Sequence, residues 1–363
     1  MVDSANALLR ARRGKLLTRY DGDLSAVTEG LPDFAAGNQP VSPTALERFA
    51  GCPHAYFVQR MLRVEPVEQP EDVITISPAD IGTLMHASFD ALVRECGTDL
   101  PGYGQPWTDH QRQRLTALAA DQAAKLTADG RTGHPRLWRQ ALTRIQAELQ
   151  AMLLDDDAWR QENQAAVIAS ELAFGMRGAP PVTIDLPGGG ALLMRGAADK
   201  VDRDINGRLY VTDLKSGSSR DFKNLSEADP VLGGSKLQLP VYAHAARAVH
   251  GPDAEVVAAY WFVRRDKGRV FVPLTAAVET RYAATLEVLV HSIRDGLFPP
   301  RPPAAPDFAW VQCPCCNPDG IGHGEARRHW ERIKHDPRLS TLVALIEPDT
   351  DGAADTVSVG GAR

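Results

Sequence analysis

The sequence predicts an α/β (α+β) protein, with helices first and then a sheet flanked by further helices. Three observations predict it. Residues 110–129 and 136–157 are long, rich in Ala, Gln, Leu and Arg, and place apolar residues at helical spacing. From Val167 onward the pattern changes to short apolar runs broken by glycines and an Asn206-Gly207 turn. Hydrophobic residues make up 44% and charged residues 24% of the 363 positions, enough to bury a core in one large domain or two ordinary ones.

Residues 1–40 mix Arg10, Arg12, Arg13 and Lys15 with Gly, Asp and Pro, and read as an irregular lead-in. The region 41–165 reads as helical. A helix starts at Ser42-Pro43-Thr44, where Ser42 can cap and Pro43 can take the first helical position, and it carries Leu46 and Phe49. A second helix runs from about Ile81 to Cys96. The region 166–300 holds the expected sheet. Its strands are Val167–Phe174, Val182–Leu186, Ala191–Arg203, Arg208–Leu214, Val256–Arg264 and Arg269–Leu274, with helices at 236–249 and 276–296. Segment 301–348 contains the cysteine cluster, and 349–363 is Gly-, Ala- and Asp-rich with little to bury, which predicts a disordered tail.

The formal net charge of -6 argues against a surface that coats nucleic acid throughout, since phosphate binding is driven by Lys and Arg, but it allows a local basic channel. No apolar run approaches the ~20 residues of a membrane span, and the N-terminus lacks the apolar core of a signal peptide. The chain is read as cytoplasmic with no membrane association. Its five cysteines are Cys52, Cys96, Cys313, Cys315 and Cys316, an odd and clustered set that suits metal binding better than disulfides. Cys96 reads as a small buried residue.

The chemistry concentrates in two adjacent strands, Gly196-Ala197-Ala198-Asp199-Lys200-Val201-Asp202 and Val211-Thr212-Asp213-Leu214-Lys215-Ser216-Gly217. Period-2 geometry puts Asp213 and Lys215 on one strand face. Two converging carboxylates suit a hard cation such as Mg²⁺, and a lysine beside them can hold a water or a phosphate oxygen. Whether Asp199 shares that face depends on the hairpin register. A two-residue Asn206-Gly207 loop would pair Asp199 with Leu214 and separate the acids. A three-residue loop, Ile205-Asn206-Gly207, pairs Asp204 with Arg208 and therefore Asp199 with Asp213. A type I turn from Asp204 with Gly207 left-handed favours the second register. Asp202 reads as structural.

These motifs resemble the RecB/AddB-type nuclease domain of the PD-(D/E)XK superfamily over about Val41 to Pro348. Gly82-Thr83-Leu84-Met85-His86 resembles that family's G-x-x-x-H helix, Gly196–Asp202 its G-x-x-D-x-x-D strand, Asp213–Gly217 its D-Y-K-T-G motif and Gln238–Tyr242 its Q-x-x-x-Y helix. The resemblance implies a PD-(D/E)XK core over 166–300. It implies Mg²⁺ (or Mn²⁺) held by His86, Asp199 and Asp213, catalysis by Asp199, Asp213 and Lys215, and Gln238 and Tyr242 facing the site from one helix face. Leu214 replaces the usual aromatic and is expected to face the core. Glu171 stands where the family carries an acid, either supporting the site or structural. Cys52 in Cys52-Pro53-His54-Ala55-Tyr56-Phe57 resembles the first ligand of a [4Fe–4S] cluster completed by C-terminal cysteines. Here the family's last cysteine is missing, so Cys313 and Cys316 are joined by Cys315 or His323 as the fourth ligand, with structural zinc, or loss of the metal site, as the alternatives.

The implied function is a metal-dependent DNA exonuclease in recombination and double-strand-break repair. DNA is then one partner. A helicase is the other, separate or once fused, because no Walker P-loop occurs in the chain. A non-catalytic DNA-end-binding or scaffolding module, or a nuclease for CRISPR spacer processing, are the alternatives. Arg220, Lys223, Lys236, Arg264, Arg265, Lys267 and Arg269 are candidates for a DNA channel.

Overall fold

The computed structural model describes residues 2–65, 73–264, 267–302, 315 and 324–348. The first half is helical: α1 (Val2–Arg13), α2 (Pro43–Gly51), α3 (Pro53–Tyr56), α4 (Pro78–Cys96), α5 (Asp109–Ala128) and α6 (Pro135–Asn163). Local chemistry sets their starts. The Ser42 hydroxyl accepts from Ala45 N at 3.2 Å with Pro43 behind it. Ser77 caps α4 by accepting from Asp80 N at 3.0 Å, so α4 begins at Pro78, before the Ile81 expected from apolar spacing. Thr108 and Gln111 form a reciprocal capping box at α5. The lead-in expected to be irregular contains α1, which buries none of its residues.

The strands are β1 (Ala165–Phe174), β2 (Val182–Asp185), β3 (Ala191–Met194), β4 (Gly196–Asp204), β5 (Leu209–Lys215), β6 (Val256–Phe262) and β7 (Gly268–Pro273). Five make one sheet in the order β1-β4-β5-β6-β7, and β2 pairs with β3 separately. The single strand expected over Ala191–Arg203 is therefore divided. β3 leaves for the small sheet, and Arg195 at the corner donates its N–H to Val41 O at 2.9 Å. β5 and β6 run parallel, joined through α7 (Gln238–His250), while the other pairs in the large sheet are antiparallel. β5 is buried on both faces through Leu214, which explains its nearly unbroken apolar run.

The β4–β5 register is Lys200↔Thr212, Val201↔Val211, Asp202↔Tyr210 and Arg203↔Leu209. Extended one step, it sets Asp199 opposite Asp213, as the three-residue loop requires. The turn is built as its residues predict. Gly207 N donates to Asp204 O at 3.0 Å, Asp204 N donates to Arg208 O at 3.0 Å, and Gly207 has φ +89°. The Asp204 carboxylate also accepts from Asn206 N and Arg208 N, each at 2.9 Å.

The sheet separates two cores. One holds Val211, Tyr260 and Phe262 against α2, α7 and α8 (Ala276–Arg294). It also takes in Trp330, Ile333, Leu342 and Ile346 from α9 (Gly324–Ile333) and α10 (Ser340–Ile346). The other holds Val167, Leu214 and Trp261 against α4, α5 and α6. On this second side Lys200, Asp202, Asp156 and Arg160 are buried together. Lys200 Nζ donates to Asp156 at 2.5 Å and to Asp202 at 2.7 Å, and Arg160 Nε donates to Asp156 at 2.9 Å. Two cations against two acids make this set neutral, which is the condition for burying charge at tolerable cost. The second Asp of the β4 motif is thus committed to a structural network, on the face opposite Asp213.

Candidate active site

Asp213 and Lys215 stand at the carboxyl end of β5, beside the parallel neighbour β6 and the first turn of α7. Ligand sites in α/β sheets favour such a place. Lys215 Nζ lies 2.6 Å from Asp213 Oδ2 and donates to Gln238 Oε1 at 3.0 Å. Its ammonium sits 5.0 Å from the centre of the Tyr260 ring. Gln238 is the first residue of α7. Its amide donates to Asp213 Oδ1 at 3.3 Å and to the Tyr242 hydroxyl at 3.0 Å, so both ends of the side chain are used. Leu214 points into the helical-side core, as expected for its place between two site residues.

His86 reaches the strand ends from α4. Its Nδ1 lies 2.9 Å from Asp199 Oδ1 and its Nε2 lies 3.0 Å from the Leu214 carbonyl. Both partners are acceptors, so the ring satisfies both only with a proton on each nitrogen. Asp199 also accepts from Leu214 N at 2.7 Å, which fastens its carboxylate across the hairpin.

The electrostatics follow from burial and crowding. Burial pushes the Asp213 carboxyl up and nearby Asp199 adds to this against the pull of Lys215, bringing it to about 6. Burial opposes charge on His86, but the hydrogen bond to Asp199 and the charges of Asp199 and Asp213 outweigh it and raise the imidazole above its ordinary value. Lys215 behaves alike: burial pulls it down, Asp213 and Asp199 more than compensate, and it stays protonated. Burial first, then the two acids, push the Tyr242 phenol well above its usual range.

A 650 Å³ groove opens beside His86 and Lys215, lined also by Gly82, Ser216, Glu171 and Arg177, with Asp90 and Arg94 on its wall. Glu171 stands opposite Asp199, between the pairs Ser170↔Lys200 and Leu172↔Ala198. It has φ +46°, costly for a residue with a Cβ, and it accepts from Arg177 at 2.9 Å. Arg94 pairs with Asp90 at 3.0 Å. These groove arginines were not among the expected basic residues; the only sequence signal was Arg94 one turn beyond Asp90 on α4. Two expected channel residues lie elsewhere. Arg264 pairs with Glu148, and Arg269 pairs with Asp155 and stacks on Trp261, both among the α6-side groups. Lys236 covers the Phe222 ring at 4.0 Å, Arg220, Lys223 and Lys267 are exposed, and Arg265 lies outside the described residues.

Cys52 is buried between α2 and α3, and Cys96 is half-buried at the end of α4, where it accepts from Gln111 at 3.5 Å. Cys313, Cys316 and His323 lie outside the described residues. Cys315 lines a 550 Å³ cavity with His54, Phe57 and Phe298.

The chain belongs to the PD-(D/E)XK nuclease superfamily, whose pattern it matches over residues 40–319. Within it, the chain is similar to proteins named as a subunit of the ATP-dependent helicase/deoxyribonuclease. It is 29% identical to that of Symbiobacterium thermophilum over 85% of this chain and 25% of the relative. It is also 29% identical to that of Desulforudis audaxviator, over 64% of this chain and 20% of the relative. That of Moorella thermoacetica gives 29% over 59% and 18%. The chain thus spans a quarter or less of the length of these relatives. The resemblance to RecB/AddB-type nucleases seen in the motifs agrees with both findings.

Members of this superfamily use divalent metal ions. The donor set fits one: an imidazole, two carboxylates on one sheet face and the Leu214 carbonyl, with two of these already within 3.0 Å of His86. The expected convergence is nevertheless incomplete. Among the described residues no three His, Cys, Asp or Glu side chains form a ready cluster. His86 and Asp199 hold each other, and Asp213 is turned to Lys215 and Gln238.

A protonated ligand cannot coordinate. As pH falls through about 6, Asp213 takes up a proton, and His86, raised above its ordinary value, gains charge as well. Titration calorimetry with Mn²⁺ between about pH 5 and pH 8 should therefore show affinity dropping by about tenfold or more per pH unit below 6, and levelling off only above the raised His86 value. Affinity that is constant down to about pH 5 would contradict this ligand set.

Proposed function

We propose that the chain is a Mg²⁺- or Mn²⁺-dependent DNA exonuclease acting in recombination and double-strand-break repair, working with a helicase. What supports the reading is one observation: His86 pairs with Asp199 and Lys215 with Asp213 on neighbouring strands, within a chain of PD-(D/E)XK type. The helicase/deoxyribonuclease names of the relatives support DNA as substrate and a helicase as partner. Among the described residues no helix is long and apolar enough to cross a membrane.

His86, Asp199, Asp213 and the Leu214 carbonyl would hold the cation. When bound, the cation polarises the phosphodiester and favours attack by water. Lys215 remains charged at neutral pH, so it acts as a fixed cation on a phosphate oxygen rather than as a base. Gln238 accepts from that ammonium and donates to Asp213, bridging the two. Arg94 and Arg177 flank the groove, where they can exchange their carboxylate partners for phosphates.

We also infer that Cys52 joins Cys313, Cys316 and either Cys315 or His323 around a [4Fe–4S] cluster, with zinc as the alternative. His54 N donates to Pro299 O at 3.2 Å, and Arg301 donates to Ala50 O at 3.2 Å, so the Cys52 segment packs against the stretch leading toward Cys313. Protein purified without oxygen should be brown and contain iron. Colourless protein with one equivalent of zinc would select the alternative, and metal-free protein of equal thermal stability would eliminate both.

Lys215→Ala and Asp213→Ala should each lower Mg²⁺-dependent cleavage of end-labelled linear DNA by at least about a thousandfold. DNA binding should change little, because most phosphate contacts lie elsewhere. Cleavage by either purified variant at the wild-type rate would refute the assignment.

A further inference from the structure

Helix α7 starts without a cap of its own. The residue before it, Leu237, has no side-chain group that can accept the free N–H bonds of the first turn. Two distant residues hold the backbone of Leu237 instead, one on each side. Glu47, on α2 and 190 positions away, accepts the Leu237 N–H at 2.6 Å. Tyr282, on α8 and fully buried, donates its hydroxyl to the Leu237 carbonyl at 3.1 Å. The next residue is Gln238, which bridges Lys215 and Asp213. A carboxylate at a helix N-terminus is also favoured by the helix dipole.

We propose that Glu47 is a positioning residue for the cleavage reaction: by capping Leu237 it fixes the first turn of α7, and through Gln238 it fixes Lys215. This rests on the nuclease reading given above. The link is short, with one hydrogen bond from Glu47 to the backbone, one peptide to Gln238, and one hydrogen bond from Gln238 to the ammonium. Losing the cap lets the first turn of α7 fray. Gln238 then no longer fixes the ammonium and the Asp213 carboxylate, 2.6 Å apart, relative to one another, and Lys215 loses the hydrogen bond that orients it. A loss of this kind acts on the chemical step, since Glu47 is not among the residues lining the groove. Tyr282 holds the same residue through its carbonyl.

The test compares wild type, Glu47→Ala, Glu47→Gln and Tyr282→Phe in steady-state cleavage of linear DNA with Mg²⁺, together with hydrogen exchange at the Leu237 amide. Glu47→Ala should lower kcat by about ten- to a hundredfold with KM within about twofold, and should lose protection at Leu237. Glu47→Gln keeps a carbonyl acceptor and should recover most of both. A merely structural role would lower the melting temperature without this split and without rescue. Wild-type kcat in Glu47→Ala, or a Glu47→Gln variant as slow as the alanine, would overturn the proposal. If Glu47→Ala does not fold, Tyr282→Phe decides: lowered kcat at unchanged KM supports the proposal, and wild-type kcat overturns it. Wild-type protein that fails to cut DNA overturns the nuclease reading and this inference with it. Wild-type cleavage with an undiminished Glu47→Ala overturns the inference alone.

Discussion

The site depends on the register of one hairpin. Side chains alternate across a strand, so a shift of one residue between β4 and β5 would send Asp199 to the face that holds Lys200 and Asp202. The Asp204–Arg208 turn prevents this shift. Its carboxylate binds two N–H groups of the loop, and Gly207 adopts a left-handed conformation that a residue with a Cβ reaches only at a cost. A loop at one end of the hairpin thereby decides the chemistry at the other.

The sheet keeps two sets of charges apart. On the helical side, Lys200, Asp202, Asp156 and Arg160 are closed off and mutually neutralised. In the other, Asp199 and Asp213 pair with His86 and Lys215, and these two cationic groups line a groove. Burial lowers the Asp156 carboxyl's preference for charge, but Lys200 and Arg160 override this and hold it down at about 2. Asp213 has one strong cationic neighbour and an acid opposite, and it ends near 6, above the ordinary 3.8. Because that folded-state value is raised, the stability Asp213 contributes to the metal-free protein is fully present below about pH 4 and lost as pH rises through about 6.

Much of this was legible because it is local. Turn chemistry at Asp204–Gly207 gave the register, period-2 spacing gave the shared face of Asp213 and Lys215, and Ser42-Pro43 gave the start of α2. What was not legible depends on partners far along the chain. Arg264 and Arg269 read as candidates for a DNA channel because Glu148, Asp155 and Trp261 come to them only in the fold. Nothing near Glu47 in sequence marks it, since its partner lies on another helix. Helices α9 and α10 are short, and they are held by burying Trp330, Ile333 and Leu342 rather than by propensity. The inward turn of Asp213 toward Lys215 follows from local charge balance, which motif spacing does not report.

The central claim is that the hairpin register gives Asp199 and Asp213 to one cation together with His86. Anomalous diffraction from crystals grown with Mn²⁺ tests it directly. A single strong peak bounded by the Asp199 and Asp213 carboxylates, a His86 nitrogen and the Leu214 carbonyl is the predicted result, with Asp213 drawn off Lys215. A fully loaded crystal with Mn²⁺ bound elsewhere, or held by Asp199 while Asp213 stays on Lys215, would contradict it.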